Sequence, residues 1–236
     1  MEPQLVHVSS AAPRLELDLI GDLVCPWTFI GKRGLDRALE SLYGSPVRLL
    51  RWHGLPLEGD RVAAAPVSWH DHFASRLPSG ASVAAAEREL REAGTDLGIR
   101  FAFERLGSLP DTREAHRLVL LAARDGRQSE VLDAVLRAFF ERGCDIADSA
   151  LLGEVAQECA LRADTRDAFG DPSEARDAVD ADERRLRGLG IAVVPNLLIN
   201  GRVLVPGPAD VETYVQALDQ ALFPELTAPK DKRLLH

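Results

Sequence analysis

The sequence predicts an α/β fold in which a βαβ unit and a ββα unit are separated by a long all-helical block. Three observations predict it. Leu15, Leu17 and Leu19 alternate with Glu16 and Asp18, the period-two pattern of a half-buried strand. From about Ser68 to Arg187 the apolar spacing is helical, broken at Gly94, Gly107-Ser108, Gly126, Gly143 and Gly170-Asp171-Pro172. Asn200-Gly201 then separates two short apolar runs, Asn196 to Ile199 and Arg202 to Val205, which is a strong β-hairpin signal.

The elements follow in order. Pro26 to Leu42 place Trp27, Ile30, Ala38, Leu39 and Leu42 near helical spacing, and Pro26 suits a first helical turn, where its missing N–H is not needed. Val47 to Trp52 is a second extended run, bounded by Ser45-Pro46 and Gly54. Strand, helix, strand at this spacing is a parallel βαβ unit with a right-handed crossover. In the helical block, Thr112 to Ala123 puts Ala115, Leu118, Val119 and Ala122 on one face. Ser129 reads as the N-cap of a helix carrying Val131, Leu132, Val135, Leu136 and Phe139, stopped by Gly143. Asp148 opens another, with Leu151, Leu152, Val155, Ala156 and Cys159 inward. Ala192 to Val194 read as extended. A last helix after Pro206-Gly207-Pro208 aligns Val211, Tyr214, Val215, Leu218 and Leu222, and the tail from Thr227 is polar.

Composition narrows the function. With 236 residues, 46% of them hydrophobic and 28% charged, the chain suits an ordinary globular protein that needs no stapling. A formal net charge of −9 argues against a nucleic-acid surface. No segment approaches the roughly 20 apolar residues needed to cross a bilayer, so no membrane partner is expected. Met1 to Pro13 show no basic stretch followed by an apolar run, and three cysteines make no disulfide framework, which points to the reducing cytoplasm. No phosphate-cradling glycine pattern is present, and nothing marks an oligomeric state.

Chemistry concentrates at Asp22 to Arg33. Cys25 directly follows an apolar strand and precedes a helix opening with proline, where unpaired N–H groups and the positive end of the helix dipole favour a thiolate over a thiol. Thr28 stands where a dithiol enzyme of this layout carries its second cysteine. The other candidates read more simply. Cys159 suits core packing and Cys144 a loop. His70 and His72 lack a ligand set, so no metal is expected. Trp52 and Trp69 suit packing. Asp180, Asp182 and Glu183 read as a solvated helix face.

The layout, the Cys-Pro helix start and the Val194-Pro195 pair before the hairpin resemble the thioredoxin fold with a helical insertion. The motif DLVCPWTFIGK at Asp22 to Lys32 resembles the D-x-V-C-P-W-C-Y-I-G-K signature of DsbA-like oxidoreductases of the FrnE-like branch. The similarity extends through DTREAHRLVLLAARDG at Asp111 to Gly126, AFFERGCDIADSALL at Ala138 to Leu152 and GIAVVPNLLINGR at Gly190 to Arg202. It implies a thioredoxin-like domain formed by residues 14–58 and 188–224, a helical insertion at 59–187, and a tail at 225–236. It also implies that Cys25 and Thr28 form the catalytic pair of positions. Pro26, Trp27, His116, Val194, Pro195 and Asn196 would face the substrate, with a cis bond at Pro195.

The departures point to mechanism. Thr28 replaces the second cysteine, Asn196 replaces a bulky apolar residue, and Gly207-Pro208-Ala209 replaces Gly-Ala-Gln. A dithiol enzyme resolves its mixed disulfide with its second thiol. This chain would instead exchange with protein thiols and disulfides through Cys25 alone. Glutathione is a possible co-substrate and no cofactor is bound permanently. The resemblance extends to 2-hydroxychromene-2-carboxylate isomerases and kappa-class glutathione transferases, in which a serine at the position of Cys25 steadies the glutathione thiolate. A non-catalytic peptide-binding module on the same scaffold is the third reading.

Overall fold

Leu15, Leu17 and Leu19 are fully buried on one side of strand β1 (Arg14–Gly21), while Glu16 and Asp18 lie half-buried on the other, as period-two alternation requires. The computed structural model describes residues 14–42, 47–56 and 67–224. The N-terminal stretch, the Ser45-Pro46 boundary, the 58/59 division and the tail lie outside those residues.

Helix α1 (Pro26–Ser41) returns the chain to strand β2 (Val47–Gly54), which runs parallel to β1 with Leu17 opposite Leu50 and Leu19 opposite Trp52. Strands β3 (Asn196–Ile199) and β4 (Val203–Pro206) form the hairpin, and β3 pairs antiparallel to β1. The sheet order is therefore β2-β1-β3-β4. Asn200 and Gly201 both have positive φ, 51° and 64°, the turn geometry that matches strand twist. Asn200 also accepts from the Glu16 N–H at 2.8 Å and so ties the turn to β1. The expected extended run at Ala192–Val194 is not a strand. Pro195 has no N–H to offer a ladder, and its carbonyl is taken by the Gly207 N–H at 2.8 Å, so pairing begins at Asn196. Helix α9 (Val211–Leu222) covers the hairpin and packs on α1, with Tyr214 and Leu218 buried.

Between β2 and β3 lie α2 (Trp69–Arg76), α3 (Val83–Asp96), α4 (Arg113–Leu121), α5 (Gln128–Phe140), α6 (Ser149–Glu158), α7 (Ala163–Gly170) and α8 (Arg176–Gly188). Helices α4 and α5 form the middle of the block, with Ala115, Leu118, Val119, Val131, Leu132, Val135 and Leu136 fully buried. The helix expected over Thr112–Ala123 tightens into a 3₁₀ turn at Ala122–Asp125, ended by Gly126 at φ 66°. Ser129 is not the N-cap of α5; Arg127 holds that position. The helix begins two residues earlier because Gln128 is drawn inward, accepting from the Trp52 N–H at 2.9 Å and donating to the Val119 carbonyl at 3.1 Å. Asp148 does cap α6, accepting from the Ala150 N–H at 2.9 Å.

Aromatic packing joins block to sheet. Phe29 of α1 meets Phe101 and Phe140, and Trp69 stacks on Phe73 and Phe103 with ring centroids 4.9 and 5.2 Å apart. Asp182 is not part of a solvated face. Its carboxylate reaches His53 Nδ1 at 2.8 Å, and His53 Nε2 meets Asp18 at 2.9 Å, so α8 is pinned to the sheet. Glu183 pairs with Arg187 at 2.8 Å. Among the described residues, no helix is long and apolar enough to cross a membrane.

Candidate functional site

The site begins where β1 turns into α1. Cys25 occupies the N-cap, and its N–H donates to the Asp22 carbonyl at 3.2 Å while its own carbonyl accepts from the Thr28 N–H at 3.0 Å. Pro26 is in the first helical turn and buried, as its fixed φ and absent N–H suit. Gly21 makes the close start possible: a Cβ there would come within 2.6 Å of Thr28 Cγ2 and of the Trp52 ring. From the far side, Trp69 Nε1 donates to the Val24 carbonyl at 3.1 Å, so the helical block holds the turn as well.

The electrostatics differ from the expectation of a favoured thiolate. Cys25 is 8% exposed, and its thiol is pushed up to about 11. Burial is the main cause, because it penalises the charged form. The N–H groups of Thr28 and Trp27 and the Thr28 hydroxyl pull the other way, and the negative charge of Asp22 adds to the rise. The helix terminus therefore moderates a buried thiol without making it a resting thiolate. Thr28 is fully buried, and its hydroxyl also accepts from the Asp22 N–H at 3.4 Å.

The loop before β3 packs against the same helix. The Val194-Pro195 bond is cis. Pro195 seats on α1 at Gly31, where an added Cβ would lie 3.2 Å from the proline ring and 3.1 Å from the Tyr214 hydroxyl. Val194 packs with Ile20, Leu55 and Leu186 and enters no backbone pairing among the described residues. Asn196 turns its amide back onto the Val193 carbonyl at 2.6 Å, which fixes the loop where a bulky apolar residue was the family pattern. Trp27 is half-buried beside a cavity of about 670 Å³ walled by Arg76, Leu77, Pro78, Ser82 and Ala85.

His116 is enclosed in the protein behind the turn that carries Cys25. Its ring is 1% exposed, stacks on Trp52 and lies so close to Gly54 that a Cβ there would be 2.4 Å from Nδ1. Its ring therefore has almost no exposed edge to offer a ligand. Trp52 Nε1 donates to His116 Nδ1 at 3.1 Å, and His116 Nε2 faces Asp22 Oδ1 at 3.8 Å. Asp22, Trp52 and Gln128 join the site without having been singled out for it. Their one signal in the sequence is Asp22, which opens the quoted motif.

The remaining candidates stand apart. Cys144 and Cys159 are free and half-buried, one after α5 and the other at the C-cap of α6. His70 and His72 lie in the first turn of α2, with His70 paired to Glu87 at 3.3 Å. Among the described residues, no group of three or more His, Cys, Asp or Glu side chains is arranged to hold a metal.

Comparison with known proteins agrees with this geometry. A probable DsbA oxidoreductase from Streptomyces coelicolor is 25% identical, with a TM-score of 0.76 over 94% of each chain. The cytosolic disulfide reductase DsbM from Pseudomonas aeruginosa, solved with GSH, is 26% identical at a TM-score of 0.57, over 89% of this chain and 98% of that one. A 2-hydroxychromene-2-carboxylate isomerase shares the fold at 12% identity, with a TM-score of 0.66 over 91% of this chain and 100% of that one. No curated protein matches the chain. The model of the DSBA-like thioredoxin domain matches residues 16–219, so this chain, with a cysteine at the head of α1 and a cis-proline before β3, belongs to the DSBA-like thioredoxin domain family.

Proposed function

We propose that the chain is a thiol–disulfide oxidoreductase working through the single thiol of Cys25. The observation that carries this reading is the position of Cys25 at the N-cap of α1, the helix against which cis-Pro195 packs at Gly31, with Thr28 in place of a second cysteine. The Cys25 thiolate attacks one sulfur of a disulfide, forming the Cys25 mixed disulfide and expelling the other sulfur as a thiolate, which takes up a proton. An external thiol then attacks the mixed disulfide and releases Cys25. Protein disulfides and glutathione are the substrate classes, and the likeness to a GSH-bound cytosolic reductase supports glutathione and a cytoplasmic setting. The Val194 peptide groups supply an edge for an extended substrate, and the cavity beside Trp27 supplies room for it.

One observation favours a second reading. A thiol pushed up to about 11 is a hydrogen-bond donor at neutral pH, able to steady the thiolate of bound glutathione as in a glutathione-dependent isomerase or transferase. Intact mass after exposure to oxidised glutathione separates the two. The first reading expects one glutathione adduct, faster at pH 9 than at pH 7 and absent from Cys25→Ser. An unmodified wild type, with glutathione-dependent turnover surviving in Cys25→Ser, would establish the second instead.

A further inference from the structure

Trp52 Nε1 can only donate, so its bond to His116 Nδ1 puts the imidazole proton on Nε2. That Nε2–H is buried with the ring, has no hydrogen-bond partner among the described residues, and faces the carboxylate of Asp22 at 3.8 Å. Asp22 is 1% exposed and belongs to the same turn as Cys25, whose N–H it binds through its carbonyl. The tautomer is held from behind as well: the Trp52 backbone is fixed by Gln128, and the two rings stack at 13° with centroids 5.7 Å apart. The groups acting on the sulfur are thus Asp22 from the turn and the N–H and hydroxyl donors of Trp27 and Thr28 from α1, with His116 of α4 behind Asp22.

We propose that His116 is a positioning residue acting on Cys25 through Asp22: Trp52 aims its Nε2–H at the Asp22 carboxylate, and so fixes the negative charge that the turn presents to the buried sulfur. An N–H aimed at a buried carboxylate holds it in one orientation, and a negative charge held near the sulfur disfavours a second one there, adding to the effect of burial. The arrangement guards the nucleophile between turnovers. It rests on the reading of Cys25 as the exchanging thiol, but thiol acidity is measurable whether or not exchange occurs.

The test is the ultraviolet absorbance of the Cys25 thiolate as a function of pH, taken as the difference between each protein and the same protein carrying Cys25→Ser. Asp22→Asn should lower the midpoint, and at neutral pH should raise the thiolate fraction about tenfold for each unit of that shift. His116→Phe should lower it less, and should add nothing in the Asp22→Asn background, because its effect runs through that carboxylate. Trp52→Phe keeps the ring stack and frees Nδ1, so it should also lower the midpoint, which guards against a His116 variant that fails to fold. An unmoved midpoint in Asp22→Asn, or a His116 effect that simply adds to it, would overturn the proposal. Midpoints that move as expected in a protein forming no glutathione adduct would leave this inference standing and remove the oxidoreductase reading.

Discussion

At Cys25, burial and the charge of Asp22 favour the thiol, while the donors at the head of α1 favour the thiolate. The second set is the more legible in the sequence, because a helix start can be read from Pro26 whereas the degree of burial depends on Trp69 and the helical block closing over the turn. Thr28 is better determined. Its position in the motif marks it as the stand-in for a resolving thiol, and its buried hydroxyl faces the sulfur. Thr28→Cys is therefore expected to restore an internal disulfide with Cys25. Mass spectrometry after mild oxidation should show the loss of two hydrogens in the variant and not in the wild type. A variant that stays dithiol while Cys25 still accepts glutathione would show that the turn cannot bring the two sulfurs together.

Helix α8 is fastened to the sheet by one imidazole. Burial works against a charge on His53, but its hydrogen bonds to Asp182 and Asp18 outweigh it, so its pKa lies above the ordinary 6.5. Arg185 and Arg51 brace the same two carboxylates at 2.8 and 2.7 Å. A raised folded-state pKa contributes stability that is fully present below the unfolded value and fades as pH rises through the folded one. His53→Gln should therefore be less stable than wild type at pH 6, by about 1.5–3 kcal/mol for each charged hydrogen bond that is lost. The gap should narrow at alkaline pH; thermal melts across pH would show this, and a gap independent of pH would refute it. The periodicity of α8 was readable, but not this pairing. His53 and Asp182 are 129 residues apart, and nothing local distinguishes Asp182 from its solvated neighbours.

Across the whole molecule, the order of strands and helices was legible because Leu15 to Leu19 and the faces of α4 and α5 carry clean periods. The joins between units were less so, since they rest on contacts such as Phe29 with Phe140 and Trp69 with Val24. Trp69→Ala, which empties a fully buried site between those units, should cost about 3–5 kcal/mol in chemical denaturation. Trp69→Phe should cost less yet still speed alkylation of Cys25, because it removes the bond to the Val24 carbonyl. Equal alkylation in that variant and wild type would dissociate the block from the turn. The sheet order has a further consequence, for synthesis. Strand β1 is complete at Gly21, but its antiparallel neighbour begins at Asn196. At about 5–20 residues per second, the ribosome takes roughly 9 to 35 seconds to cover that distance. One side of β1 waits unpaired meanwhile, while the helices, built on local contacts, are free to form first. The loop bearing Pro195 is thus delivered late, together with β3.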